Sequence, residues 1–192
     1  MEKKAYTDAE LALRSRKGDQ AAFQELVSRY REKLSLYLRH LTLGRDESED
    51  LVQDVFMKAY RALGSFDGRR RFSPWIYRIA HNEAINYLKR KSRRRVVSWE
   101  DISDSQDELE AAQIADTPEE LWANEEDRER VRHALSELSE PYREVLILRY
   151  YLDKSYTEMS EILGKPENTI ASTLSRAKKK LAQRLDRRKK PR

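Results

Sequence analysis

Residues 96–127 carry twelve aspartates and glutamates and no lysine or arginine, and this stretch limits what the chain can fold into more than any other. A run of like charge repels itself and buries little, so it reads as a linker that is at least partly disordered when free. On its two sides the balance reverses: residues 1–95 hold 22 cations against 13 anions, and residues 128–192 hold 17 against 9. The overall formal charge of +5 therefore conceals two basic blocks joined by an acidic one. Each block is long enough to bury a modest core, which predicts two small domains rather than one. The linker itself has two readings, an ordinary solvated connector or a mimic of a nucleic-acid backbone that lies in a basic channel of a partner.

Only 5 glycines and 5 prolines interrupt 192 residues, and with 38% charged and 39% hydrophobic residues the composition suits long amphipathic helices rather than sheets. The predicted fold class is all-α. Helix starts are marked by Ser, Thr or Asp followed three residues on by Glu, a pairing that satisfies the backbone N–H groups left over at a helix N-terminus. It occurs as Thr7 with Glu10, Asp46 with Glu49, Thr117 with Glu120 and Ser155 with Glu158. Each such cap contributes about 1 kcal/mol. Gly18, Gly44, Gly64 and Gly164 fall where helices should stop. The spacing predicts helices over 8–17, 20–43, 47–63, 74–91, 118–138, 141–152, 156–163 and 167–187. The lack of cysteine excludes disulfides, thiolate metal sites and a thiol switch in this chain. The N-terminus has no apolar signal-peptide core, and no uncharged apolar run approaches the ~18 residues of a membrane span, so the expected compartment is the cytoplasm with no membrane contact of the chain's own.

The segment "FSPWIYRIAHNEAINYLKRKSRRR" carries an unusual helix. Ser73 is placed to cap it and Pro74 to occupy its first turn without losing a needed donor. Projected at about 100° per residue, Trp75, Arg78, Asn82, Asn86, Lys89 and Arg93 gather on one side, and Ile76, Ala80, Ala84, Tyr87 and Leu88 gather opposite. Arg, Lys and Asn can bond phosphates and base edges, and an aromatic ring offers a stacking face. Ahead of the helix, "LGSFDGRRRF" holds Phe66 among arginines in a short glycine-containing loop suited to receiving an unstacked base. The bland alternative is a solvated charged face with a half-buried tryptophan.

Near the other end, "SYTEMSEILGKPENTIASTLSRAKKKL" has the proportions of a helix-turn-helix, with Gly164 in the turn and the second helix starting near Pro166. Met159, Ile162, Leu163, Ile170, Leu174, Ala177 and Leu181 are its candidate core. Asn168, Thr169, Ser172, Arg176 and Lys179 would face out, a set able to enter a major groove with Arg or Asn on bases and Lys on phosphates. A plain helical hairpin with a basic edge would show the same pattern. In "DESEDLVQDVFMKAYRAL", Leu51, Val52, Val55, Ala59 and Leu63 point to a core, while Asp50 and Asp54 stand one turn apart beside Gln53. No histidine or further acid accompanies them at ligand spacing, so no metal and no cofactor is expected. An acidic, partly apolar patch on a basic domain reads instead as a protein-docking surface. His40, His81 and His133 are solitary on their helices and no nucleophile joins them, which argues against an enzyme.

Taken in order, "KGDQAAFQELVSRY", "EDLVQDVFMKAYRAL", "FSPWIYRIAHNEAINYL" and "LSEPYREVLILRYYLDKSYTEMSEILGKPENTIASTLSRAKKKL" give the chain a resemblance, over nearly its whole length, to the extracytoplasmic-function (group 4) sigma factors of bacterial RNA polymerase. The resemblance implies a sigma-2 domain over 1–95, an acidic linker over 96–125 and a sigma-4 domain over 126–192, with no enzyme activity. It implies that Asp50, Gln53, Asp54 and Phe56 dock on the clamp helices of the beta-prime subunit. Phe66, Trp75, Arg78, Asn82, Asn86 and Lys89 would capture non-template bases of the minus-ten element. Sigma-4 would sit on the beta flap while Asn168, Thr169, Ser172, Arg176 and Lys179 read the minus-thirty-five duplex. The linker would thread toward the active-site cleft and the RNA exit channel, and an anti-sigma factor would cover the polymerase-binding faces. One departure stands out: relatives commonly begin the recognition helix with "PVGTVKSR" or "PVGTVRSR", where this chain has "PENTIAST", so Ala171 and Thr173 replace basic side chains and Glu167 adds a negative one.

Extruding a base costs a few kcal/mol, and stacking it on an aromatic ring returns about 1–3 kcal/mol. The free protein is therefore not expected to open a duplex alone. The competing reading is a conventional helix-turn-helix regulator that binds duplex DNA without polymerase, which leaves the Trp75 to Asn86 face and the acidic linker without a role. A basic RNA-binding or purely structural helical protein is the remaining alternative.

Overall fold

The computed structural model describes residues 6–44, 46–91, 99 and 125–189. Among these residues the chain is helical with no strands, and it divides into two compact units, the first made mainly of residues up to Lys91 and the second mainly of those after it. Most of the acidic segment, and the cap expected at Thr117 with Glu120, lie outside the described residues. No helix among the described residues is long and apolar enough to cross a membrane.

The first unit contains α1 (Asp8–Arg16), α2 (Gln20–Thr42), α3 (Asp46–Ala62) and α4 (Phe72–Lys91). The capping box that starts α1 is formed: Thr7 N donates to Glu10 Oε2 at 2.8 Å and Glu10 N donates back to Thr7 Oγ1 at 3.3 Å. α2 is the central helix, packed against α1, α3 and α4. Leu26, Leu34, Tyr37, Leu38 and Leu41 on α2 are fully buried, as are Val55 and Ala59 on α3 and Ile76, Ala80 and Ala84 on α4. Edge-on aromatic pairs knit the center, with Tyr30 and Phe72 ring centroids 5.4 Å apart and those of Tyr37 and Tyr77 5.5 Å apart. Burial raises the Tyr30 and Tyr77 hydroxyl pKa values well above the ordinary tyrosine value, and the Asp8 carboxylate raises Tyr30 further.

Three boundaries differ from expectation. α4 begins at Phe72, so Ser73 lies inside the first turn and is not its cap; the buried Phe72 ring belongs to the core and brings its backbone into the helix. α2 ends on Leu43, whose φ of 58° puts the left-handed residue one position before Gly44. The segment expected as one helix over 141–152 is α6 (Glu140–Leu146) followed by a wider π turn, Ile147–Tyr151. There Leu152 N donates to Ile147 O at 3.2 Å and Lys154 N to Leu148 O at 2.9 Å, and Asp153 takes a φ of 48°.

The second unit also holds α5 (Glu125–Ser136), α7 (Tyr156–Leu163) and α8 (Glu167–Lys189), with α5 and α6 both packed on α8. Ser155 and Glu158 form the second capping box, at 3.0 and 3.2 Å. The stop of α7 is a left-handed Gly164 at φ 65°, whose N–H donates to Ser160 O at 2.8 Å. Ser160 Oγ then donates to Lys165 O at 2.6 Å and fixes the turn into α8. Arg143 is buried, donating from Nη1 to Leu138 O at 3.0 Å, and burial lowers its pKa.

Candidate nucleic-acid interface

α4 owes its orientation to a division between its sides. Ile76, Tyr77, Ala80 and Ala84 are buried, while Arg78, Asn82, Asn86 and Lys89 are exposed and Trp75 is half-buried. Five of the six side chains expected to share a face are spaced three or four residues apart over 15 positions of one helix. Arg93 lies outside the described residues. One charged residue sits on the inner side: Glu83 is 6% exposed, and its Oε1 meets Lys58 Nζ of α3 at 2.6 Å. That pair ties the outward-facing helix to its neighbor.

The turn from α3 to α4 is an ordered object rather than an open loop. A 3-10 turn, Leu63–Ser65, is closed by Phe66 N donating to Leu63 O at 3.2 Å. Asp67 then organizes the next residues, accepting from Arg69 N on Oδ1 at 3.0 Å and from Arg70 N on its carbonyl at 2.9 Å. Phe66 is enclosed in this conformation. It was expected to offer a face to an unstacked base, but it is 3% exposed, with its ring centroid 5.6 Å from Phe72 and 5.3 Å from Trp75. The physical reason is tertiary: flanking polar residues made the position look solvated, and the aromatic neighbors that bury it come from the first turn of α4. Phe66 braces Trp75 from one side and Phe72 does so from the other, at 5.4 Å. What stands outside this aromatic stack is Trp75 together with Arg69, Arg70 and Arg71, all three exposed.

On α3 the expected docking residues separate. Gln53 and Phe56 line a groove of about 360 Å³ between α2 and α3, together with Val27, Arg31, Val52 and Met57. Asp50 is exposed and Asp54 half-exposed, and neither lines that groove. Phe56 is 7% exposed and packs edge-on against Phe23 at 6.4 Å, so it forms a wall of the groove rather than a projecting anchor. The projecting apolar side chains are Met57 and Tyr60, 50% and 46% exposed. Sequence reasoning did not name them, although Glu49, Gln53, Met57 and Tyr60 form a legible outward stripe at helical spacing. Among the described residues no group of three metal-ligating side chains comes together.

On α8, Asn168 is exposed, and Thr169, Ser172, Arg176 and Lys179 are partly exposed along the same helix. Ser172 Oγ donates to Thr169 O at 3.1 Å. The residues expected as core, Met159, Ile162, Leu163, Ile170, Leu174, Ala177 and Leu181, are all buried. Of the two positions where "PVGTVKSR" has a basic side chain, Ala171 is exposed but Thr173 is 2% exposed, so Thr173 is a core position here.

Comparison with known proteins agrees with this arrangement. Residues 26–94 match the family model described as Sigma-70 region 2, and residues 128–181 match Sigma-70, region 4. The chain is 39% identical over 175 residues to the ECF RNA polymerase sigma-E factor of Escherichia coli K12, an alignment covering 90% of this chain and 91% of that protein. It is 32% identical over 173 residues to the RNA polymerase sigma-H factor of Pseudomonas aeruginosa PAO1, covering 89% and 90% of the two chains. Among solved structures it resembles CnrH in complex with the cytosolic domain of CnrY, with a TM-score of 0.70, 28% identity and 93% and 97% coverage. It also resembles the sigma factor RpoE of Bartonella quintana in complex with the anti-sigma factor NepR, with a TM-score of 0.65, 27% identity and 85% and 96% coverage. With helices on which both regions of the family fall in order, the chain belongs to the sigma-70 family of RNA polymerase sigma factors, in its extracytoplasmic-function group.

Proposed function

We propose that this sigma factor captures one DNA strand with α4 and its preceding turn, and reads duplex DNA with α8. The observation that carries the reading is the outer side of α4. A half-buried indole braced by two phenylalanine rings stands beside exposed Arg78, Asn82, Asn86 and Lys89, with three further arginines on the adjoining turn. A rigid aromatic face with amide and cationic donors suits a base that has left its stack, and the cations suit the phosphates around it. In this reading Phe66 acts by holding Trp75, not by touching the base. Asn168, Thr169, Ser172, Arg176 and Lys179 contact the minus-thirty-five element in the major groove.

The α3 surface is the proposed contact with core polymerase. Asp50, Gln53 and Asp54 offer polar and anionic partners for the beta-prime clamp helices, and the groove walled by Phe56 offers an apolar seat beside them. The second unit rests on the beta flap. Of the similar solved structures, that of RpoE holds a sigma factor with a protein named as its anti-sigma factor, which supports an anti-sigma partner for this chain as well.

Selection from random oligonucleotides tests the proposal. Core polymerase with this protein should enrich a short motif in single-stranded non-template DNA, and Asn82→Ala or Trp75→Ala should abolish the enrichment while leaving polymerase binding intact. The protein alone should enrich nothing. Enrichment of a duplex motif by the free protein would favor the conventional regulator instead.

A further inference from the structure

α1 precedes both family matches, the first of which begins at residue 26, and nothing above gives it a task. It is nonetheless fastened at both ends. At the N-terminal end Asp8 accepts from Arg29 Nη1 at 2.8 Å and from the Tyr30 hydroxyl at 2.6 Å, both on α2. At the C-terminal end Arg14 donates to Asp19 at 2.6 Å, the residue that caps α2. Between these anchors Leu13 meets the turn that leads into α4. A Cβ placed on Gly68 would lie 2.7 and 2.9 Å from the two methyl carbons of Leu13 and 3.1 Å from its Cγ. Apolar carbons settle at about 3.5–4.0 Å, so the bare backbone of the turn lies against Leu13, and a side chain at position 68 requires the Leu13 methyls or the turn to shift.

Gly68 does not have a positive φ, so closeness and not backbone freedom calls for glycine at this position. Gly18 and Gly64 have open space where a Cβ would go, which makes the approach to Leu13 particular to this turn. Two residues before Gly68, the buried Phe66 props Trp75; one residue after it begin the exposed arginines.

We infer that α1 is part of the strand-capture device. Leu13 is a positioning residue that supports the turn at Gly68, and this support sets the height at which Trp75 and Arg69 to Arg71 meet the strand. The inference rests on the proposed capture by α4 and its turn. A shift of the turn by a fraction of an ångström moves the contacts of the strand without touching the core beneath α2 and α3.

The test uses full-length protein reconstituted with core polymerase. Gly68→Ala, Leu13→Ala, the double variant and Asn82→Ala are compared for the rate of opening a duplex promoter, for affinity to core polymerase and for melting temperature. Gly68→Ala should slow opening about tenfold, a modest case of misplacement away from the contact itself, while its polymerase affinity and melting temperature stay at the parent values. Leu13→Ala should slow opening less, and the double variant should recover most of the Gly68→Ala loss, because alanine at 13 vacates the space that the new Cβ needs. Opening by Gly68→Ala at the parent rate overturns the inference, as does a double variant slower than both singles. A matching fall in melting temperature or polymerase affinity also overturns it, because the contact would then merely hold the fold. Unimpaired opening by Asn82→Ala would remove the capture reading itself, and the inference with it.

Discussion

Lys58 and Glu83 illustrate how burial decides the cost of a change at single residues. The Glu83 side chain is 8% exposed and Lys58 52% exposed, so the two ends of one 2.6 Å ion pair stand in different media. Removing the lysine leaves a carboxylate inside with no opposite charge, which should cost about 2 kcal/mol. Removing the glutamate frees an ammonium that water already reaches, which should cost only about 1 kcal/mol. Urea unfolding of Lys58→Ala and Glu83→Ala should show that order, and the reverse order would mean that the packing of the buried glutamate side chain outweighs its unpaired charge. Leu43 offers the opposite case. A leucine at φ 58° that is 51% exposed accepts left-handed strain with little packing in return. Leu43→Gly should therefore raise stability by about 0.5–1 kcal/mol, where most helix-end substitutions lower it. The residue scale is also where the sequence was hardest to read. The outer face of α4 was legible because 3.6-residue spacing alone sorts Arg78, Asn82 and Asn86 from Ile76, Ala80 and Ala84. The burial of Phe66 and Glu83 was not, because each is covered by residues that helical periodicity cannot place against it.

Helices here begin and end on chemistry that is largely local. The boxes at Thr7 with Glu10 and Ser155 with Glu158 were readable from four-residue windows and are formed. The cap of α2 was not singled out, since Asp19 has no glutamate three residues on. Its carboxylate instead accepts from Ala22 N at 3.1 Å and from Arg14, and the backbone hydrogen bond first, then the guanidinium, lower its pKa below the usual aspartate value. A carboxyl group with a lowered folded-state pKa contributes its stability fully above its unfolded value of about 4 and loses it as pH falls through the folded value. Asp19→Asn should thus flatten the loss of stability below about pH 4 in urea midpoints measured against pH, with little change in slope near neutrality. At α8 the proposed division of roles predicts two kinds of defect. Arg176→Ala should cost about 1–3 kcal/mol at one base pair of the minus-thirty-five element and relax preference there. Lys179→Ala should weaken binding alike on all sequences and lower the salt slope by about one. Competition binding by the holoenzyme over a salt series separates them, and identical behavior of the two variants would reject the assignment.

At the scale of the whole molecule, charge carries most of the organization. Two basic units of +9 and +8 and an intervening −12 are visible by counting, and the division after Lys91 falls near the first of these boundaries. What counting could not reveal is the support beneath the proposed reading surface: α1 against the turn at Gly68 and the Lys58 to Glu83 tie depend on pairs distant in sequence, and the aromatic stack behind Trp75 on how a turn folds back on the helix that follows it. If strand capture is correct, the same charge pattern should make transcription by the holoenzyme steeply sensitive to salt, because many phosphates would be neutralized together. Under the proposed strand capture the free protein should stand close to balance, since base extrusion costs a few kcal/mol and stacking returns about as much. Run-off transcription from a library of promoter fragments, with purified core polymerase and with or without this protein, addresses that dependence most directly. Initiation should appear only when both are present and should fall at least tenfold on Asn82→Ala or Asp54→Ala. Absence of initiation, combined with tight sequence-specific binding of duplex DNA by the protein alone, would contradict strand capture as its mode of action.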